Sequence, residues 1–349
     1  MPESPSTPTP ALSDPVAARI ATAFGLGRVL SCRRITQGLM NPNWQLTTEA
    51  GSYAIKQLQD RPPETVRDNH RVLPKLAAQG LPVPLPYTTD HGDTLLRVGD
   101  DWYTASAWLP GTHLNGHDLT PNACEALGDL TGRLHNALAA ALPGAPNRLL
   151  DNPTTVHEAQ ARLERFARAT GGGAGDDFDE LAGAEIRQRQ ALLHRIACQQ
   201  PPPLKVEPAG WTHGDLQPLN LLIEPVTGHV TAILDWDRLD VRGYGTEVVR
   251  TATIWFTHPS TGALDLDRVA AFIRGYRTQR LITDTQLLDA AHRRWWQLAT
   301  GTWQLRLHYD QHDHGCDHLL FSDARLLRWW LVHTEAVNTA LTTASTSAR

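Results

Sequence analysis

The segment Trp211-Thr212-His213-Gly214-Asp215-Leu216-Gln217-Pro218-Leu219-Asn220, followed by Val230-Thr231-Ala232-Ile233-Leu234-Asp235-Trp236-Asp237, restricts this chain more than any other part of it. Two apolar runs, Leu221-Leu222-Ile223 and residues 230–234, are separated by the turn signal Thr227-Gly228 and read as the strands of a hairpin. The second run has the look of a strand that delivers a carboxylate, Asp235, into a cleft. The fold therefore has to accommodate a hairpin flanked by Asp215 and Asn220 on one side and by Asp235 on the other.

An aspartate five residues before an asparagine repeats the spacing of the protein-kinase catalytic loop, in which Asp takes the substrate hydroxyl proton and Asn holds Mg²⁺. A nucleoside triphosphate brings roughly three to four negative charges, and Mg²⁺ prefers hard oxygen ligands in octahedral geometry. Asn220 and Asp235 supply such oxygens. Asp215 is placed nearer the acceptor hydroxyl, as base and positioner rather than nucleophile. Either half alone reads as a polar turn or a strand-end carboxylate; in this order, with the hairpin between them, the two make a specific pattern.

A third element is expected upstream. In Ser52-Tyr53-Ala54-Ile55-Lys56-Gln57-Leu58 the strand alternation puts Lys56 on a face with Ala54 and Leu58. Only three of the 32 basic side chains are lysines, Lys56, Lys75 and Lys205, so a lysine on this strand points to a need for a compact ammonium.

His-Gly-Asp at residues 213–215, the terse Leu-Asp-Trp-Asp at 234–237 and Tyr-Ala-Ile-Lys at 53–56 resemble the aminoglycoside phosphotransferase family, whose relatives include choline, homoserine and hexosamine kinases. The similarity runs from about Gly38 to about Arg250 and is specific at the catalytic loop. The resemblance implies an α+β, bilobal protein-kinase-like fold with a small β-rich N-lobe and a larger, mostly helical C-lobe. It implies Asp215 as catalytic aspartate, Asn220 and Asp235 as Mg²⁺ ligands and Lys56 as the lysine on the phosphates of ATP or GTP. Gly38, Asn41 and Asn43 resemble the family's nucleotide loop, and Ala107, Trp108 and Leu109 fall where a hinge holds the base.

Two departures stand out. Gln217 occupies the position where protein kinases carry a lysine, and no Ala-Pro-Glu follows Asp235, which argues against a protein substrate. The helix that normally supplies a glutamate to the strand lysine is expected from Pro62-Pro63 to Gln79, on an apolar face of Val66, Leu73, Leu76 and Ala77. On that face the glutamate slot holds Asn69, while Glu64 and Asp68 project away. Lys56 is left with a neutral partner or a helix in another register. That absence also keeps open a catalytically weak, scaffold-type reading.

The expected organisation is a disordered start over residues 1–13, an N-lobe over 14–106, a hinge at 107–113, a helical C-lobe over 114–341 and a disordered tail from 342 to 349. Leucines 127, 130, 134 and 138 form one helical stripe, and residues 156–169 another helix. The tryptophans 295, 296, 303, 329 and 330 read as core. With 349 residues, 41% hydrophobic, no apolar run long enough to span a bilayer and no signal-peptide pattern at its start, the chain is expected in the cytoplasm. A net charge of −5 gives no footprint for nucleic acid, and Cys32, Cys124, Cys198 and Cys316 suggest neither a disulfide framework nor a zinc site.

The acceptor is expected to be a small hydroxylated molecule: an antibiotic, a sugar, an amino sugar or an amino alcohol. Residues 251–349 hold nine acidic side chains against ten arginines, so no acid excess marks a polycationic acceptor. Candidate contacts are Asp237, Asp179 in the acidic run 176–180, and His312, His314 and Asp317 in the stretch 312–318, both stretches reading as polar breaks between helical patterns.

Overall fold

The computed structural model describes residues 12–36, 41–170 and 177–343. It opens with helix α1 (Asp14–Ala23), which carries a proline in its first turn, where a missing N–H is harmless. Strands β1 (Val29–Ile35), β2 (Asn43–Thr48) and β3 (Gly51–Leu58) follow, then short helices α2 (Pro63–His70) and α3 (Leu73–Ala77) and strands β4 (Leu96–Val98) and β5 (Asp101–Ala107). The five strands form one antiparallel sheet in the order β1-β2-β3-β5-β4.

Its register stacks Trp44 against Ile55, Leu46 against Tyr53 and Ile55 against Ala105, an apolar face on which α1 packs through Ala17, Ile20 and Ala21. Because side chains alternate along a strand, Lys56 leaves β3 on the opposite face from Ile55, between Asn43 of β2 and Thr104 of β5. The single helix expected from residue 62 to 79 is two helices. Pro74 has no N–H to give to His70, and its ring collides with that carbonyl, so the helix stops and restarts.

The chain continues through α4 (Pro121–Ala141), β6 (Leu149–Asp151), α5 (Val156–Thr170), α6 (Asp177–Ile196), β7 (Leu204–Val206) and β8 (Ala209–Thr212). Strands β9 (Leu221–Ile223) and β10 (Val230–Ile233) make the expected antiparallel hairpin. After β11 (Asp240–Gly243) come α7 (Tyr244–Phe256), α8 (Leu266–Gln279), α9 (Asp284–Thr300), α10 (Trp303–Gln311) and α11 (Asp317–Thr342).

Several local expectations change. The leucine stripe of α4 is buried as its spacing requires, and Trp295, Trp296 and Trp330 are core, but Trp303 is 41% exposed. Asp177, Asp179 and Glu180 are not a break between helices; they form the first turn of α6, where carboxylates suit the positive end of the helix dipole. The last helix includes Thr342, which the sequence assigns to the tail. Residues 1–11 and 344–349, Gly38 and Asp176 lie outside the described residues.

Two compact units emerge. The first joins Met1–Asn115 with Ala137–Gly144 and Trp211–Asp240; the second is Gly116–Asn136, Ala145–Gly210 and Val241–Arg349. The first is β-rich and the second helical, which is the α+β arrangement of a kinase-like fold. The segment 211–220 and its hairpin thus cluster with the N-terminal sheet rather than with the helices that follow a cut at residues 107–113. No helix among the described residues is long and apolar enough to cross a membrane.

Candidate active site

The hairpin is what brings the motif residues together. Its ladder continues one step past the strands, with Leu234 N–H donating to Asn220 O at 2.8 Å. Asn220 and Asp235, fifteen positions apart in sequence, therefore flank the same end of the hairpin. The segment after β5 runs along its other edge: Thr112 and Ile223 exchange both backbone hydrogen bonds, at 3.0 and 2.9 Å. Gly111 adopts φ +132° there, and a Cβ on it would lie 2.7 Å from Thr231 Oγ1, so no larger residue fits.

The turn before the hairpin is built around His213. This ring is fully buried and packs edge-on against Trp236 at 4.8 Å. Asp215 N–H donates to its Nδ1 (3.3 Å), which leaves Nε2–H to donate to Leu234 O (2.9 Å). Gly214 takes φ +83° between them. Asp215 Oδ2 accepts from Gln217 Nε2 at 3.0 Å and from Asn220 Nδ2 at 3.2 Å, and the same Asn220 amide nitrogen donates to Asp215 O at 2.8 Å. With its nitrogen committed to Asp215, Asn220 presents its amide oxygen elsewhere.

Asp235 has a left-handed backbone (φ 59°, ψ 68°), uncommon for a residue with a side chain, and it turns the chain out of β10 into the 3₁₀ turn Trp236–Arg238. That turn is anchored from three directions. Asn69 Nδ2 donates to Trp236 O (2.9 Å), Trp236 Nε1 to Ile233 O (2.8 Å) and Arg238 to Asp60 (2.8 Å). The ammonium of Lys56 then reaches two carboxylates at once, Asp235 Oδ1 at 2.6 Å and Asp237 Oδ2 at 2.7 Å.

Burial opposes the charge on Lys56, but the two carboxylates outweigh it and raise its pKa above the ordinary lysine value. Burial likewise opposes ionisation of Asp235, yet Lys56 holds that carboxyl below its usual range. Asp237 is more deeply enclosed, its side chain 8% exposed against 34% for Asp235, and burial together with the nearby Asp235 raises it.

The residues expected on the nucleotide divide accordingly. Lys56, Asp215, Asn220 and Asp235 all belong to this one constellation. Asn69 does not serve Lys56; it is buried in α2 and holds the main chain of Trp236. Asn41 is buried, accepting from Gln59 and Asp60 backbone N–H groups at 2.8 and 3.2 Å and donating to Asp237 at 3.3 Å, while Asn43 Nδ2 donates to Asn41 O at 2.8 Å. Ala107 still pairs with Tyr53 in the sheet, and Trp108 N–H continues the ladder to Ser52 O at 3.0 Å. Leu109 follows directly and is partly exposed.

The acceptor candidates sit differently. Asp237 is enclosed by Lys56 and Asn41. Asp179, His312, His314 and Asp317 lie in the second unit. There Asp179 accepts from Tyr309 at 2.6 Å, exposed His312 caps α10 with a left-handed backbone, and His314 and Asp317 converge on His308. Sequence reasoning overlooked Asp237 as the second carboxylate on Lys56. The signal was the Asp-Trp-Asp triplet, whose two acids flank a large residue on a tight turn.

Comparison with known proteins gives the same frame. Homoserine kinase of Ralstonia nicotianae is 26% identical over 301 residues, 82% of this chain and 84% of that protein. Among solved structures, a spectinomycin phosphotransferase bound to ADP and spectinomycin superposes with a TM-score of 0.62 at 15% identity, covering 92% of this chain and 95% of that one. An amicoumacin kinase bound to AMP-PNP, Ca²⁺ and its antibiotic gives 0.55 at 17% identity, covering 88% and 91%. Residues 31–282 match the phosphotransferase enzyme family, APH, and over that span the chain belongs to this family of small-molecule kinases.

Proposed function

We propose that this chain transfers the γ-phosphoryl group of ATP, or of GTP, to a hydroxyl of a small molecule, and that homoserine is the first acceptor to test. The observation that carries the reading is Lys56 bridging Asp235 and Asp237 beside the Asp215–Asn220 pair. One ammonium against two carboxylates leaves a negative balance, and the Asn220 oxygen and the Asp235 carboxylate are hard donors, so the set fits Mg²⁺. The ion, when bound there, supplies neutralisation of the phosphate charge.

The protein's own part is positioning and proton transfer. Asp215, oriented by Gln217 and Asn220, takes the acceptor hydroxyl proton. The acceptor oxygen forms a bond to the γ-phosphorus, the bond from that phosphorus to the β-bridging oxygen breaks, and the nucleoside diphosphate departs. Lys56 stays protonated through this, a fixed cation near the phosphates. Use of a nucleoside triphosphate supports a cytoplasmic setting.

Homoserine leads for two reasons. It is what the 26%-identical relative is named for, and the balanced charge of residues 251–349 does not favour a polycation. The test is nucleoside diphosphate release with Mg²⁺ and ATP or GTP across homoserine, choline, spectinomycin and hexosamines. Homoserine-dependent release is the expected outcome. Turnover with another acceptor alone would move the substrate and keep the chemistry; no turnover with any acceptor or nucleotide would overturn the reading.

A further inference from the structure

The junction of α10 and α11 brings two imidazoles and a carboxylate to one point. His308 comes from the last turn of α10, His314 from the connecting loop and Asp317 from the first turn of α11, and their ligand atoms lie within 4.8 Å of one another. His308 Nδ1 is 3.0 Å from His314 Nδ1 and 2.9 and 3.0 Å from the two oxygens of Asp317; His314 Nδ1 is 3.5 Å from Asp317 Oδ2.

Protons satisfy this triangle only by sharing. A neutral imidazole nitrogen carries either one N–H or one lone pair. If His308 Nδ1 donates, its one hydrogen is shared between the carboxylate and His314. If instead it accepts from His314, its lone pair confronts a carboxylate oxygen at 2.9 Å. A cation, in contrast, takes one lone pair from each of the three groups.

The dimensions name the kind of cation. Tetrahedral zinc with ligands at about 2.0–2.1 Å spaces them about 3.3 Å apart, and a site with three protein ligands leaves the fourth position to water. The edges of the triangle His308 Nδ1, His314 Nδ1 and Asp317 Oδ2, at 2.9, 3.0 and 3.5 Å, straddle that spacing. The surroundings hold the ligands in place. The His308 ring is stacked on Phe178, 4.0 Å between centroids and 17° between planes. The loop is fixed by Asp313 N–H on Leu307 O (3.0 Å) and Gly315 N–H on Asp313 Oδ1 (2.9 Å). His308 is buried while the His314 side chain is 55% exposed, so an ion can enter from solvent and finish against a rigid wall.

We propose that His308, His314 and Asp317 bind one zinc ion that ties the end of α10 to the start of α11. Its sequence spacing, five residues and then two between ligands, is set by a helix end and a turn and departs from the usual zinc-finger patterns. Neighbouring His312 and His318 are exposed and stand outside the cluster.

The full chain, stripped with EDTA, is titrated with Zn²⁺ alone by calorimetry and with Co²⁺ by visible absorption. One equivalent of Zn²⁺ is expected, with the strong visible bands of four-coordinate Co²⁺. His314→Ala and Asp317→Asn should each weaken Zn²⁺ by more than about 100-fold, beyond the 10–100-fold typical of losing an outer partner. Asp235→Asn should leave it unchanged, which separates this site from any Mg²⁺ position. His314→Gln, at the same half-exposed position, repeats the test should the alanine variant fail to fold. Absence of stoichiometric binding, retention of wild-type affinity in both ligand variants, or loss in Asp235→Asn alone would overturn the proposal.

Discussion

Because Lys56 Nζ bridges Asp235 and Asp237, replacing the two carboxylates should disturb different quantities. Asp235 is the more exposed and the more readily ionised, so Asp235→Asn is expected to raise the KM for Mg²⁺–ATP with little change in melting temperature. Asp237 is enclosed with Lys56 and Asn41, and Asp237→Ala should cost about 3–5 kcal/mol of stability, the range for breaking a buried pair. Urea titration and nucleotide kinetics on the same two proteins check this; equal effects in both assays would refute the division. Asp215→Ala should lower the turnover rate by about 10²–10⁴ while nucleotide affinity, measured by calorimetry, stays near wild type. At this scale the convergence of Asp215, Asn220, Asp235 and Lys56 was legible, because each is a chemically costly residue at a constrained spacing. The roles of Asn41, Asn69 and Asp237 were not. Their partners lie 196, 167 and 181 positions away, beyond what local pattern reaches.

Elements decide which of these residues meet. The hairpin was legible because two apolar runs around a Thr-Gly turn allow few alternatives, and its ladder joins Asn220 to Leu234. The break at Pro74 was present in the sequence but outweighed by an apolar face that runs through it, and α1 lacked a pattern strong enough to stand out from its polar surroundings. Helix α2 also carries a pH response. Burial first, and the Lys56 charge second, push the His70 pKa from 6.5 down to about 4. Between those values the unfolded chain takes up a proton that the folded chain refuses, so stability falls as pH drops through the window from 6.5 to about 4 and is unaffected by this group above it. His70→Gln, which can keep a hydrogen bond to Thr94, should therefore show a shallower fall in melting temperature from pH 6.5 to 4.5 than the wild type. Parallel curves would remove His70 as the cause.

At the scale of the whole molecule, the family resemblance carried by the motifs was enough for the class of fold, a β-rich unit and a helical one. The interleaving was not legible, since a unit assembled from residues 1–115, 137–144 and 211–240 leaves no mark in a linear reading. That interleaving sets a schedule for synthesis. Lys56 and Asp235 are 179 positions apart, and at about 5–20 residues per second a ribosome needs about 9–36 s to travel from one to the other. During that interval the five strands have been made, but the acids that neutralise the lysine have not. A premature stop before residue 211 would release the sheet and its ammonium without Asp215, Asn220 or Asp235. Such a fragment would keep the sheet and its lysine without the acids that meet it.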